Sequence, residues 1–146
     1  MATLTITVTE AVSLGDGSTD RGTTNIQTVT VDEVDHRIMD VGTAWTEIIK
    51  FGSANAAGTF ADGTVKYLRI TNLGATNFIS LRIRTNSIEY FTKVELEDHF
   101  ILGNSVMDAE SGTNFGTDVS FANIDSIWAD ADTAACQIEY FVASVS

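Results

Sequence analysis

The chain has 146 residues, a length suited to one domain (residues 1–146) with its own core, and 44% of them are hydrophobic, which excludes wholesale disorder. Eight Lys and Arg stand against 20 Asp and Glu, and the net charge of −12 argues against nucleic acid and anionic membrane as partners, since both attract cationic surface. The single cysteine, Cys136, excludes an internal disulfide, and no run approaches the roughly 18 consecutive apolar residues of a membrane helix.

Proline is absent and threonine abundant, which suits pleated, half-buried strands. Leu4, Ile6 and Val8 alternate with Thr3, Thr5, Thr7 and Thr9, so the first element is a strand with one wet face. Residues 15–22 are rich in Gly, Asp and Ser and read as a loop. Strands are expected at residues 25–31 and 35–41, and a short, ambiguous one at residues 45–51, stopped by Gly52. Residues 53–63 read as an Ala-rich loop with room for one helical turn.

Residues 65–72 and 78–84 read as two strands joined across Gly74, and a hairpin is expected there. In the second, Ile79, Leu81 and Ile83 share one face, and Ser80, Arg82 and Arg84 share the other. Further strands fit residues 88–96, 99–102, 119–128 and 135–145, with a loop at 103–116. The tetrapeptide Ile-Glu-Tyr-Phe occurs at 88–91 and 138–141, a recurrence short enough for coincidence in a strand-rich chain. Eight to ten short strands broken by turn residues point to an all-β fold, an antiparallel, jelly-roll-like β-sandwich.

Catalytic chemistry finds little purchase. His36 and His99 are the only histidines, no Gly-x-Ser-x-Gly elbow is present, and neighbouring Asp35 belongs on the opposite strand face from His36. Three Cys and His residues, widely spread, do not make a zinc site, and Cys136 in an alternating stretch reads as a core thiol. Calcium is the least implausible cofactor, because Asp16, Ser18 and Asp20 place oxygens at alternate positions; the pattern lacks its distal Glu, and a plain polar turn is preferred. Trp45, Trp128, Tyr90 and Tyr140 could line a sugar cleft, with core packing as the default. The expectation is a non-enzymatic protein without cofactor.

Charge is unevenly spread. Arg69, Arg82 and Arg84 come close together in sequence, while beyond Lys93 there is no Lys or Arg and carboxylates continue to Glu139. The bland reading is a solvated acidic face; the sharper one is that subunits meet acidic end to basic patch.

The segments Arg37-Ile38-Met39-Asp40-Val41, Tyr67-Leu68-Arg69-Ile70-Thr71-Asn72-Leu73 and Asn77-Phe78-Ile79-Ser80-Leu81 resemble small β-structured virion proteins of marine tailed phages, over residues 24–102. That resemblance implies a structural subunit of the virion, made in the host cytoplasm. It implies a capsid decoration (cement) protein that binds the major capsid protein or other virion proteins as a homotrimer or another homo-oligomer. The alternative is a tail fibre or knob, a receptor- or glycan-binding module. Leu4, Ile6, Val8, Arg69, Arg82 and Arg84 are the expected assembly contacts, against a core strand and solvated arginines as the simpler assignment.

Overall fold

The computed structural model describes residues 2–13, 15, 21–85, 89–103, 108–110 and 121–145. These residues form strands and no helix. Two sheets carry the fold. A four-stranded sheet runs β3 (Glu33–Val41), β13 (Cys136–Ser144), β6 (Val65–Asn72), β9 (His99–Leu102). A five-stranded sheet runs β5 (Thr59–Ala61), β4 (Thr46–Gly52), β12 (Ser126–Ala131), β7 (Ile79–Arg84), β8 (Glu89–Val94). Every pairing in them is antiparallel except β4 with β5.

Leaving out β5, the remaining eight strands in chain order pair first with last, second with seventh, third with sixth and fourth with fifth. That nested pairing is a rolled antiparallel ribbon, and it gives the strand order of a jelly roll. A short pair, β10 (Asp108–Glu110) with β11 (Phe121–Asn123), lies outside the two sheets.

Alternation drives the packing. Ile79, Leu81 and Ile83 of β7 face Leu68 and Ile70 of β6 and Ile138 and Val142 of β13 within one continuous buried cluster. Each such side chain contributes about 1.5–3 kcal/mol on burial. Two bulges adjust the pattern. β4 carries an extra residue opposite Ile127/Trp128, so that adjacent Ile48 and Ile49 are both buried. A second register shift opposite Ala143/Ser144 returns Val65 to the core while Tyr67 faces out.

The expected hairpin at Gly74 is not formed: β6 and β7 belong to different sheets, and the connection crosses from one layer to the other. Asn72 makes that corner. Fully buried, it donates from Nδ2 to the carbonyls of Asn77 (2.8 Å) and Val94 (3.3 Å), and its Oδ1 accepts from the Gly74 N–H (2.8 Å). A Cβ on Gly74 would lie 2.9 Å from both Asn72 Oδ1 and Cys136 Cβ, so glycine is needed for close approach. Residues 53–63 hold β5 and no helical turn; the strand expected at 119–128 divides, over its described residues, between β11 and β12, and the loop expected at 103–116 contains β10, while 104–107 and 111–120 lie outside the described residues.

The remaining pair is an arm. β1 (Ala2–Val12) and β2 (Arg21–Val31) are 11 residues each and pair in unbroken register from Ala2–Val31 to Val12–Arg21. At about 3.4 Å per residue the ribbon runs roughly 35 Å. Asp32 alone separates it from β3, and its N–H is held by the Ser144 carbonyl at 2.8 Å.

Candidate functional site

The arm has two unlike faces. One carries Thr3, Thr5 and Thr9 opposite Thr30, Thr28 and Thr24, cross-strand pairs that each contribute about 0.2–1 kcal/mol. The other carries Leu4, Ile6 and Val8 of β1 beside Val31, Val29, Gln27 and Asn25 of β2. Its root is packed: Leu4 and Ile6 lie against a small outer cluster of Val31, Tyr67 and Ala143, with Phe141 alongside. Beyond Ile6 the cover stops. Val8 is 49% exposed and Val12 51%, and a groove follows Ile6, Val8 and Glu10 along β1 and Thr23, Asn25 and Gln27 along β2. The expected strand of Leu4, Ile6 and Val8 is therefore graded from half-buried to open.

The arm's packed root continues onto the outer face of the four-stranded sheet. There Glu139, 20% exposed, gathers two partners on one oxygen: Arg69 donates from Nη2 to Glu139 Oε1, and His36 Nε2 lies 3.2 Å from the same atom. The His36 ring sits 6.1 Å from that of Phe141. Exposed Val34, Ile38 and Ile101 surround this ionic centre. A polar centre ringed by exposed aliphatic groups gives a surface with both orientation and apolar area to bury.

Arg82 and Arg84 are not with Arg69. They occupy the outer face of the five-stranded sheet, and Glu89 Oε1 lies 3.1 Å from Arg84 Nε and 3.8 Å from Arg82 Nε. The Arg82 guanidinium sits between two indoles, 5.3 Å from the Trp45 centroid and 5.0 Å from that of Trp128. Phe91 meets Trp45 edge-on at 5.9 Å. Trp45 and Trp128 thus pack outside the sandwich rather than in its core, and Tyr90 is exposed; Tyr140 alone of the four aromatic candidates is a core residue. The cause is register, because Trp128 pairs with outward-facing Arg82.

The other expected site residues divide. Cys136 is a buried thiol whose pKa is pushed up by desolvation. Asp35 lies on the strand face opposite His36 and engages Arg37 and Tyr140 instead. Asp16, Ser18 and Asp20, the calcium candidates, lie outside the described residues. Among the described residues no three His, Cys, Asp or Glu side chains come together around a metal position.

Sequence reasoning missed Glu139 as a hub and the inward charges of β3. A signal for the second was present: Glu33, Asp35 and Arg37 share the strand parity of Met39 and Val41, which puts charge on a core-facing row. Comparison of the chain with protein-family models, with curated proteins and with solved structures finds no match.

Proposed function

We propose that the protein is a virion structural subunit, a capsid decoration (cement) protein that joins copies of itself, as a homotrimer, to the major capsid protein through the β1–β2 arm. One observation carries the reading. An isolated two-stranded ribbon is marginal in water, yet this arm extends beyond its packed root with Val8 and Val12 open to solvent. Pairing between β1 and β2 leaves the outer edge of each without a further strand among the described residues, and strand addition by a neighbour would complete it.

Charge favours a second copy among the neighbours. In a chain of net charge −12, strands β1 and β2 hold one carboxylate, Glu10, and one cation, Arg21, with Asp16 and Asp20 in the sequence between them, so the strands of two arms approach each other with less repulsion than opposes other faces. Area adds a constraint. One face of a ribbon about 35 Å by 10 Å offers roughly 350 Å², under half of the approximately 800 Å² per partner of a stable interface. The contiguous outer face of the four-stranded sheet, with Ile38 and Ile101, supplies the remainder.

Light scattering on the full chain, with co-sedimentation on emptied capsids of the virus that encodes it, tests the proposal. A homo-oligomer that binds capsids, and a Val8→Asp variant that is folded but does neither, is the expected outcome. A monomeric chain that leaves capsids bare ends this reading.

A further inference from the structure

The five-stranded sheet ends in β8, whose far edge has no further strand beside it among the described residues. Such an edge presents a row of backbone N–H and C=O groups to which another chain can add. Of the other edges of the two sheets, β5 and β9 are only three and four residues long. Edge strand β3 carries Glu33, Asp35 and Arg37 on its inward row, the kind of charge that keeps strands from adding. β8 has six residues and two exposed aromatics, Tyr90 at 57% and Phe91 at 54%.

The side chains of β8 fall in two rows. Its register with β7 sets Glu89 opposite Arg84, Phe91 opposite Arg82 and Lys93 opposite Ser80, so these three lie on the outer face of the sheet, and Tyr90 and Thr92 lie on the other. The outer row therefore reads acid, aromatic, base, with the ring at its centre. Reversed, such a row is its own complement. The two charges already have neighbours within the chain: Glu89 Oε1 lies 3.1 Å from Arg84 Nε, and Lys93 Nζ lies 2.6 Å from Glu95 Oε1. Both pairs are exposed, and exposed pairs hold weakly enough to be shared with a further partner.

We infer that β8 pairs antiparallel with β8 of a second copy about a twofold axis at Phe91, joining two five-stranded sheets edge to edge. In that register Glu89 meets the partner's Lys93, Lys93 meets the partner's Glu89, and the two Phe91 rings meet each other. Cross-strand pairs of opposite charge and of aromatics stabilise a sheet, and like charges directly opposite oppose it. Moving the axis by one residue loses the match. About Tyr90, Glu89 meets Phe91; about Thr92, Glu89 meets Glu95 and Phe91 meets Lys93. Trp45, edge-on to Phe91 at 5.9 Å, backs the central ring. Six residues give about 20 Å of edge, well short of the roughly 800 Å² per partner of a stable interface, so the contact is weak, with a dissociation constant on the order of 0.1–1 mM. At micromolar concentration it leaves the Val8→Asp chain monomeric.

Charges on an edge can also serve only to keep edges apart. The test separates the two, and uses the full chain carrying Val8→Asp so that the arm takes no part. Sedimentation velocity up to about 1 mM is expected to show a dimer. Adding Lys93→Glu sets acid against acid at both ends of the contact, and adding Glu89→Lys sets base against base; each is expected to weaken self-association by about tenfold. An equimolar mixture of the two is expected to recover it, because both ends then pair opposite charges while each chain's internal contacts are the same as when it is alone. Phe91→Cys under mild oxidation is expected to give a disulfide-linked dimer, since directly opposite Cα atoms lie about 4.5–5.5 Å apart. Tyr90→Cys, equally exposed, lies about 8 Å from its own copy in this register and is expected to stay unlinked. A chain that is monomeric throughout, a mixture no stronger than its components, or equal linking of the two cysteines overturns the inference. None of these outcomes bears on the arm, so the structural-subunit reading stands or falls separately.

Discussion

The arm and the sandwich are written in the same code and end differently. Ile79, Leu81 and Ile83 of β7 alternate with polar residues, as do Leu4, Ile6 and Val8 of β1. In β7 all three are buried; in β1 cover fades from Leu4 to an open Val8. Period-two alternation states that one face of a strand requires cover. Who provides it depends on topology: the rolled ribbon covers β7 with the opposing sheet, whereas among the described residues β1 and β2 pair only with each other.

The largest effect should come from removing cover that the chain supplies itself. Leu81→Ala is expected to cost about 2–5 kcal/mol in urea unfolding, while Val8→Ala should cost under about 0.5 kcal/mol under conditions where the chain is monomeric. Equal costs would show that the arm is packed and dissolve the contrast. Next is the polar corner. Asn72→Ala leaves the Gly74 N–H and the Asn77 carbonyl without their partner and should cost about 1–3 kcal/mol, whereas Asn25→Ala on the exposed arm should be nearly silent.

A pH experiment sharpens the same divide. Tyr140 sits in the core, and burial first, then the neighbouring Asp35 charge, pushes its phenol up to about 12 from an ordinary 10. A raised folded pKa means the folded state holds the proton more tightly, so this contribution is intact below pH 10 and is lost as pH climbs to about 12. Alkaline denaturation followed by circular dichroism should therefore be less steep over that window in Tyr140→Phe. The smallest effect belongs to the surface. Glu139→Gln should cost no more than about 1 kcal/mol and shrink further in high salt, because Arg69 and His36 remain partly solvated.

Strand identity was largely legible because alternation is local. The β6 and β9 boundaries match expectation residue for residue, and the inward and outward sides of β7 fall as its pattern indicates. Partnership was less legible. A Gly between two strands is compatible with a hairpin or a crossing corner, and what decides here is Asn72, whose amide reaches across to Val94. Large aromatics invited a core assignment, yet Trp45 and Trp128 shelter Arg82 on the outside. The repeated Ile-Glu-Tyr-Phe makes the point within one molecule: Tyr140 is buried mid-sheet on β13, while Tyr90 on edge strand β8 is exposed. Of the candidate site residues, Leu4, Ile6 and Val8 fall on one continuous surface, but the three arginines, near in sequence, lie on two sheets.

The nested pairing of the sandwich also sets an order of events in time. β1 meets β2 across a short connection, so the arm can zip on the microsecond scale of a hairpin as soon as both strands exist. The sandwich cannot close so early, because Glu33 pairs with Ser144 and β3 waits for β13, the last strand in chain order. Such distant pairings make for slow folding. Until β13 arrives, β3 and β6 lack the strand that lies between them, and the root of the arm lacks Phe141 and Ala143, so the arm remains a marginal ribbon. The arm's pairing is thus set early by a local contact, and its seating late by the strand that closes the sandwich.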